Sequence, residues 1–129
     1  MENWQRILVI FSIFIFVIIL DLFCYFKTDN IVNNFQKNLS DVETLIYKKE
    51  LEKCKTSFNS ISEKWKQYEK NLSFFVEHDE IEKVSTKIAI IKENIENNEL
   101  NNALEDIVEA KYLLEHINDK YNLSLKNIF

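Results

Sequence analysis

The side chains with the widest chemical reach in this chain are few: two histidines, His78 and His116, and two cysteines, Cys24 and Cys54, set among 21 acidic residues. His78 is followed by Asp79 and Glu80, and His116 by contrast follows Glu115. Imidazoles beside carboxylates are the ingredients of a divalent-metal site, or of a patch whose charge changes near neutral pH. His78, His116, Glu115 and Asp79 are therefore the candidate metal ligands. The cysteines do not join them, because Cys24 lies in an apolar run and Cys54 stands 30 residues further on, outside any zinc-type spacing. A plainer role competes for each histidine. His78 continues an apolar stripe after Phe75, and His116 offers a cation to the last turn of its helix.

Catalytic chemistry is harder to assemble. Carboxylates are plentiful on helical faces, but none is forced into an apolar pocket that would retune it as an acid or base. The chain has no Gly and no Pro, which excludes the Gly-x-Ser-x-Gly elbow and the glycine-rich loops that cradle phosphates. No nucleophile, base and acid can be named together, so the expectation is a non-enzymatic protein with no cofactor. The net charge of −5 is unevenly spread: residues 27–70 carry nine Lys against seven acids, residues 71–129 six Lys against twelve acids. No basic stripe runs the length of the chain, which argues against nucleic acid as a partner. The split predicts that the first helical part faces the second with complementary charge, unless the two are simply solvated faces of different sign.

These residues must be positioned by helices, since a chain without Gly or Pro and rich in Ile, Leu, Lys and Glu has few other options. After a short leader, 1–6, residues 7–26 read ILVIFSIFIFVIILDLFCYF, in which 16 of 20 are Ile, Leu, Val or Phe. At about 1.5 Å per residue this crosses roughly 30 Å, the hydrocarbon core of a bilayer. No small-x-small cleavage pattern follows, so a retained signal-anchor is expected. Asp21 is the one charge in the run, and such charges seek a helix end or a partner. Trp4 and Tyr25 fit interfacial belts. Arg6 on one side and Lys27 with Lys37 on the other nearly balance, a count that strictly taken slightly favours the domain inside. A six-residue leader ending in Arg is nevertheless that of an ordinary signal-anchor, and the domain is expected outside the cytoplasm.

Residues 27–50 are expected to be a stalk. Phe35, Leu39, Val42 and Ile46 keep helical spacing, then the step to Leu51 is five, and Ser40-Asp41-Val42-Glu43 has the form of a capping box at which a helix restarts. From Leu51 the stripe Cys54, Phe58, Ile61, Trp65, Tyr68, Leu72, Phe75 alternates steps of three and four, a heptad seam. Asp79 with Glu82 predicts the N-cap of a new helix, striped by Ile81, Val84, Ile88, Ile91 and Ile95. Asn97-Asn98 predicts a turn, with Asn supplying the left-handed residue that Gly would otherwise supply. A last helix carries Leu100, Ala103, Ile107, Ala110, Leu114, Ile117 and Tyr121. The expected fold is all-α: a transmembrane helix, then a long helix and an antiparallel hairpin closing a three-helix bundle over 51–129. The tail 122–129 has no helical phase and is expected to lie extended across the open end.

Three segments, FFVEHDEIEKV at 74–84, EHIND at 115–119 and NLSLKNIF at 122–129, carry a family resemblance. The chain resembles domain-of-unknown-function family 4363, short bacterial proteins with one N-terminal membrane helix and a helical remainder. Trp65, His78, Ile81, His116, Ile117, Asn127 and Ile128 occupy the places of that pattern, while Asn118 stands where the family usually has Pro. The resemblance implies a Firmicutes-type origin, an extracytoplasmic domain and an accessory role beside a YetF-type membrane protein; it implies no activity. Asp21, Trp65, His78, His116 and Asn127 are the residues through which such an interaction is expected. The functions expected are an accessory subunit or spacer engaging a membrane partner, a sensor-like module using the His78/His116 end, or a bitopic scaffold that forms a homo-oligomer through residues 31–75.

Overall fold

Hydrophobic periodicity and helix ends account for nearly all of the architecture. A computed structural model describes residues 2–128, with side chains for 2–120. Four helices follow one another: α1 Asn3–Tyr47, α2 Leu51–Leu72, α3 His78–Glu96 and α4 Leu100–Ile128. Among the described residues there is no strand. The protein is all-α.

Helix α1 is a single helix of 45 residues, about 68 Å long at the usual rise. Its first part is apolar all round, long and apolar enough to cross a membrane, and none of its most apolar stretch is buried inside the protein. Its second part is not a stalk. Ile31, Val32, Phe35, Leu39, Val42 and Ile46 are buried in the same core as the stripes of α2, α3 and α4. The chain does not restart at Asp41 either. The Ser40 hydroxyl donates to the Gln36 carbonyl at 3.1 Å, and Thr44 donates to the Ser40 carbonyl at 3.2 Å. Both hydroxyls bond back along a continuing helix, so Ser40 has no free geometry in which to cap one.

The five-residue step from Ile46 to Leu51 is a chain reversal. Lys49 adopts φ 57°, the Lys49 amide donates to the Ile46 carbonyl, and the Glu50 amide donates to the Leu45 carbonyl. This pair of bonds is the Schellman arrangement that closes a helix through a left-handed residue. Asn98 repeats it at φ 62°, with the Asn98 amide donating to Ile95 and the Glu99 amide to Asn94 at 2.8 Å. The turn expected at Asn97-Asn98 is therefore present, and its chemistry is the expected one. The α2–α3 connection manages without a left-handed residue. Here the N-cap is Glu77, two residues before the expected Asp79, and His78 opens the helix.

Helix α1 packs on α2 and α4, and α3 packs on α2 and α4. Four helical arms thus surround the core, the segment 27–50 supplying the arm that a three-helix arrangement lacks. The core is continuous: Cys54, Phe58, Ile61, Trp65 and Leu72 from α2, Ile81 to Ile95 from α3, and Ala103, Ile107, Ala110, Leu114 and Ile117 from α4. The tail expected to be extended is helical as far as Ile128. Its sequence lacks an apolar phase, but it also lacks any residue that ends a helix.

Candidate functional site

The histidine end is assembled only loosely. His78, in the first turn of α3, is 83% exposed, and its Nε2 lies 3.8 Å from Glu82 one turn later. His116, Glu115 and Asp79 are exposed as well. His116 directly precedes the buried Ile117, so its side chain leaves the helix about 100° round from the core. Both histidines lie toward the same end of the bundle, where Lys120 meets Glu77 at 3.0 Å and Asn118 meets Asp29 at 2.9 Å. They are not gathered there. Among the described residues no group of three or more His, Cys, Asp or Glu is arranged to hold a metal ion.

Trp65 is a keystone of the core. Its indole Nε1 donates to the Ser85 hydroxyl at 2.8 Å, and its ring lies 5.0 Å from that of Phe35, so one side chain ties α1, α2 and α3 together. Burial with a satisfied N–H is the usual state of a core Trp. Asp21 is half-buried on α1. The Asn127 side chain lies outside the described residues.

Polar seams fix the register of α4. On α1, Asp29 accepts from the Asn118 amide, the Gln36 amide donates to the Lys111 carbonyl at 3.1 Å, and Glu43 pairs with the Lys111 ammonium. The positions 29, 36 and 43 are heptad-spaced, so one edge of α1 is locked along its length. On α3, Lys87 reaches Asp106 at 3.2 Å and also pairs with Glu109, while Asn94 donates to Asp106 at 2.7 Å. The Glu109 and Asp106 carboxylates hold the Lys87 ammonium above its ordinary pKa, against the opposing effect of burial. These contacts do not follow the uneven charge of the two halves. Glu43 brings an acid from the first half to a lysine of the second, and Lys87 with its partners lies within the second. The charge split is thus mainly a property of solvated faces.

Beside this second seam runs a feature that the sequence-based candidates largely miss. An open groove of about 910 Å³ lies between α3 and α4, with Thr86, Val108, Tyr112 and Leu113 as its less polar lining and Lys83 and Lys87 on its α3 side. Val108 is 59% and Tyr112 71% exposed. Of the residues nominated from sequence, Asp79 alone lines it. The available signal was modest: Val108 and Tyr112 are an i,i+4 apolar pair lying off the buried stripe of their helix, and lone exposed apolar residues are ordinary.

A helical bundle borne on an apolar helix, one helix serving both as carrier and as bundle arm, is the class that this geometry defines. The chain belongs to the domain of unknown function family DUF4363, which matches residues 22–128. That unit begins inside the apolar stretch and takes in all of 27–50, in keeping with a shared core that starts low on α1. No curated protein and no solved structure matches the chain.

Proposed function

We propose that this is a non-enzymatic, single-pass membrane protein whose bundle acts as an accessory subunit, engaging an integral membrane protein through the α3/α4 groove. The observation that carries the reading is the unbroken passage of α1 from an exposed apolar stretch into the core. A helix buried on one face against α2 and α4 holds the bundle at a set height and angle to the bilayer, whereas a flexible stalk would not. Placement of this kind suits a subunit that meets a neighbour in the same membrane.

The groove is a surface open to such a neighbour, whereas the buried stripes of the four helices are used up in the core. Apolar lining rimmed by both signs of charge is the usual make-up of a recognition surface. The oligomeric scaffold loses support for the same reason, since most of the helical stripe of residues 31–75 is buried within one chain. The sensor reading gains no support from two exposed histidines without a third ligand. Nor do the perturbed groups of the bundle make a catalytic set: Cys54 is buried in apolar surroundings that push its thiol up, and Lys87 is held in an ion pair.

The test is photo-crosslinking in cells from Val108 and Tyr112, with exposed Asn59 on α2 as the control position. Repeated recovery of one integral membrane protein from the groove positions and not from the control is the expected result. Adducts with a second copy of the chain would favour the scaffold, and equal background from all three positions would remove the groove from the account.

A further inference from the structure

The α2–α3 connection lies at the end of the bundle that faces the apolar stretch. Phe75 packs edge-on to Phe23 with ring centroids 6.4 Å apart, and Phe74 packs on Phe75 at 6.3 Å. Phe23 stands three residues before Phe26, the last residue of the apolar run, about 4.5 Å inside its end. A row of three rings therefore leads from that run to the tip of the turn. At the tip Phe74 is 81% exposed, the most exposed large apolar side chain among those of the described residues.

Nothing in the turn's local structure calls for an aromatic residue there. Phe74 lies in a short connection between the α2 cap at Ser73 and the α3 N-cap at Glu77, and a polar residue would serve the bend equally well. In water its ring is a standing cost; at a bilayer surface it is a gain, as for the aromatic residues that gather at headgroup level. The charges near the turn are of both signs, Asp79 and Glu80 standing in the first turn of α3, and the lysines among them suit the same surroundings. Lys70 lies in the last turn of α2, Lys27 sits 5.7 Å over the Phe23 ring, and Glu77 at the start of α3 is paired with Lys120. Lysines placed so can reach lipid phosphates while their stems lie along apolar surface.

We infer that the Ser73–Val76 turn is a second membrane contact, with Phe74 inserted into the interfacial region of the bilayer that α1 crosses. The inference rests on the reading of α1 as a membrane span. The bundle then sits on the lipid surface at two points, the α1 exit and the turn, and its tilt is fixed by both. The far end, at Tyr47 where α1 ends, is held about 36 Å from Phe23 along α1.

Nitroxide accessibility in vesicles of phosphatidylcholine and phosphatidylglycerol tests this on the full chain. The Cys24→Ser protein keeps one buried thiol, Cys54, and receives the label at Phe74→Cys, Phe14→Cys or Tyr47→Cys. All three positions are more than half exposed, so the labels leave the core intact. Collisions with oxygen report apolar surroundings, and collisions with a nickel chelate report water. The expected order of the oxygen-to-nickel ratio is Phe14→Cys highest, Phe74→Cys intermediate and Tyr47→Cys lowest, with position 74 several-fold above position 47. A label at 74 matching that at 47, while 14 remains deep, would overturn the inference and leave the span standing. A label at 74 shielded from both reagents would overturn it in favour of a protein neighbour. A water-exposed label at 14 would remove the span itself, and the inference with it.

Discussion

Truncating Phe35 separates a bundle arm from a stalk. On a stalk, Phe35→Ala would matter little, since surface changes away from special features stay within about 0.5 kcal/mol. In the structure the Phe35 ring is fully buried, tilted against Trp65 at 5.0 Å and edge-on to Tyr68 at 6.1 Å. Cutting a buried Phe back to Ala costs about 3–5 kcal/mol, and the cost grows with the cavity that remains. Here the surrounding groups are two large aromatic side chains on α2, held by the Trp65–Ser85 bond and by the helix itself, so collapse into the void is restricted. The loss belongs in the upper half of that range. Against the roughly 5–15 kcal/mol that stabilises an ordinary domain, the variant should fold but melt far earlier. Urea titration of the Trp4→Phe chain, followed through the emission of Trp65, measures it directly. A fall in the midpoint with an unchanged slope is the expected form. A loss below about 1 kcal/mol, well short of the buried-Phe range, would refute the claim that residues 27–50 are integral to the core.

Other expectations follow from the helix ends and the titrating groups. Lys49→Gly should stabilise the fold by about 1 kcal/mol, because an ordinary residue gives up about 1–2 kcal/mol in the left-handed region and Gly returns part of that as unfolded-chain entropy; Asn98→Gly should gain only a few tenths, since Asn tolerates that region. Thermal melts of the two variants check the order. Cys54 should resist maleimide until denaturant opens the bundle, because its thiol is fully buried. Its raised pKa means that the unfolded thiol ionises first as pH climbs past 9.0, so the fold loses stability on that side, and Cys54→Ala should flatten the loss. Lys87 also has a raised pKa in the fold: its contribution is complete below 10.5 and disappears as pH rises through the higher folded value. Lys87→Met should therefore cost about 1 kcal/mol at neutral pH, an amount typical of a partly exposed ion pair, and weaken the alkaline fall in melting temperature.

The parts of the fold legible in the chain are those where one residue type has one physical use. Stripes at 51–75, 81–95 and 100–117 name their buried faces, and Asn98 names its turn because few residues accept a left-handed backbone. The α1–α2 turn was illegible for the converse reason. Lys49 is not a residue that prefers φ 57°, so the step of five from Ile46 to Leu51 reads as a shift of face when it is a reversal of direction. Once that reversal is missed, 27–50 points away from the bundle and becomes a stalk, although its own stripe was visible throughout. A stripe states that a helix face is covered; it does not state by what. The expected extended tail failed in a similar way, because absence of an apolar phase is weak evidence against a helix that nothing interrupts.

The site was less legible than the fold, and the reason bears on where function is written in such a protein. Histidine and acid at one end attract notice because their chemistry is versatile, yet His78 and His116 are both solvated, and among the described residues they are not gathered with a third ligand. Among the positions that remain after packing is subtracted are Phe74, in the turn between α2 and α3, and Val108 and Tyr112, out of phase with their own helix beside the groove. Each is individually unremarkable in sequence, since apolar atoms make up roughly 55–60% of any folded surface. Position is what distinguishes them. Phe74 ends a row of rings rising from the apolar stretch, and Val108 and Tyr112 flank a groove whose register is locked by Lys87 and Asp106. In a bundle that satisfies its own stripes, contacts with lipid or partner must come from residues that the periodicity leaves over.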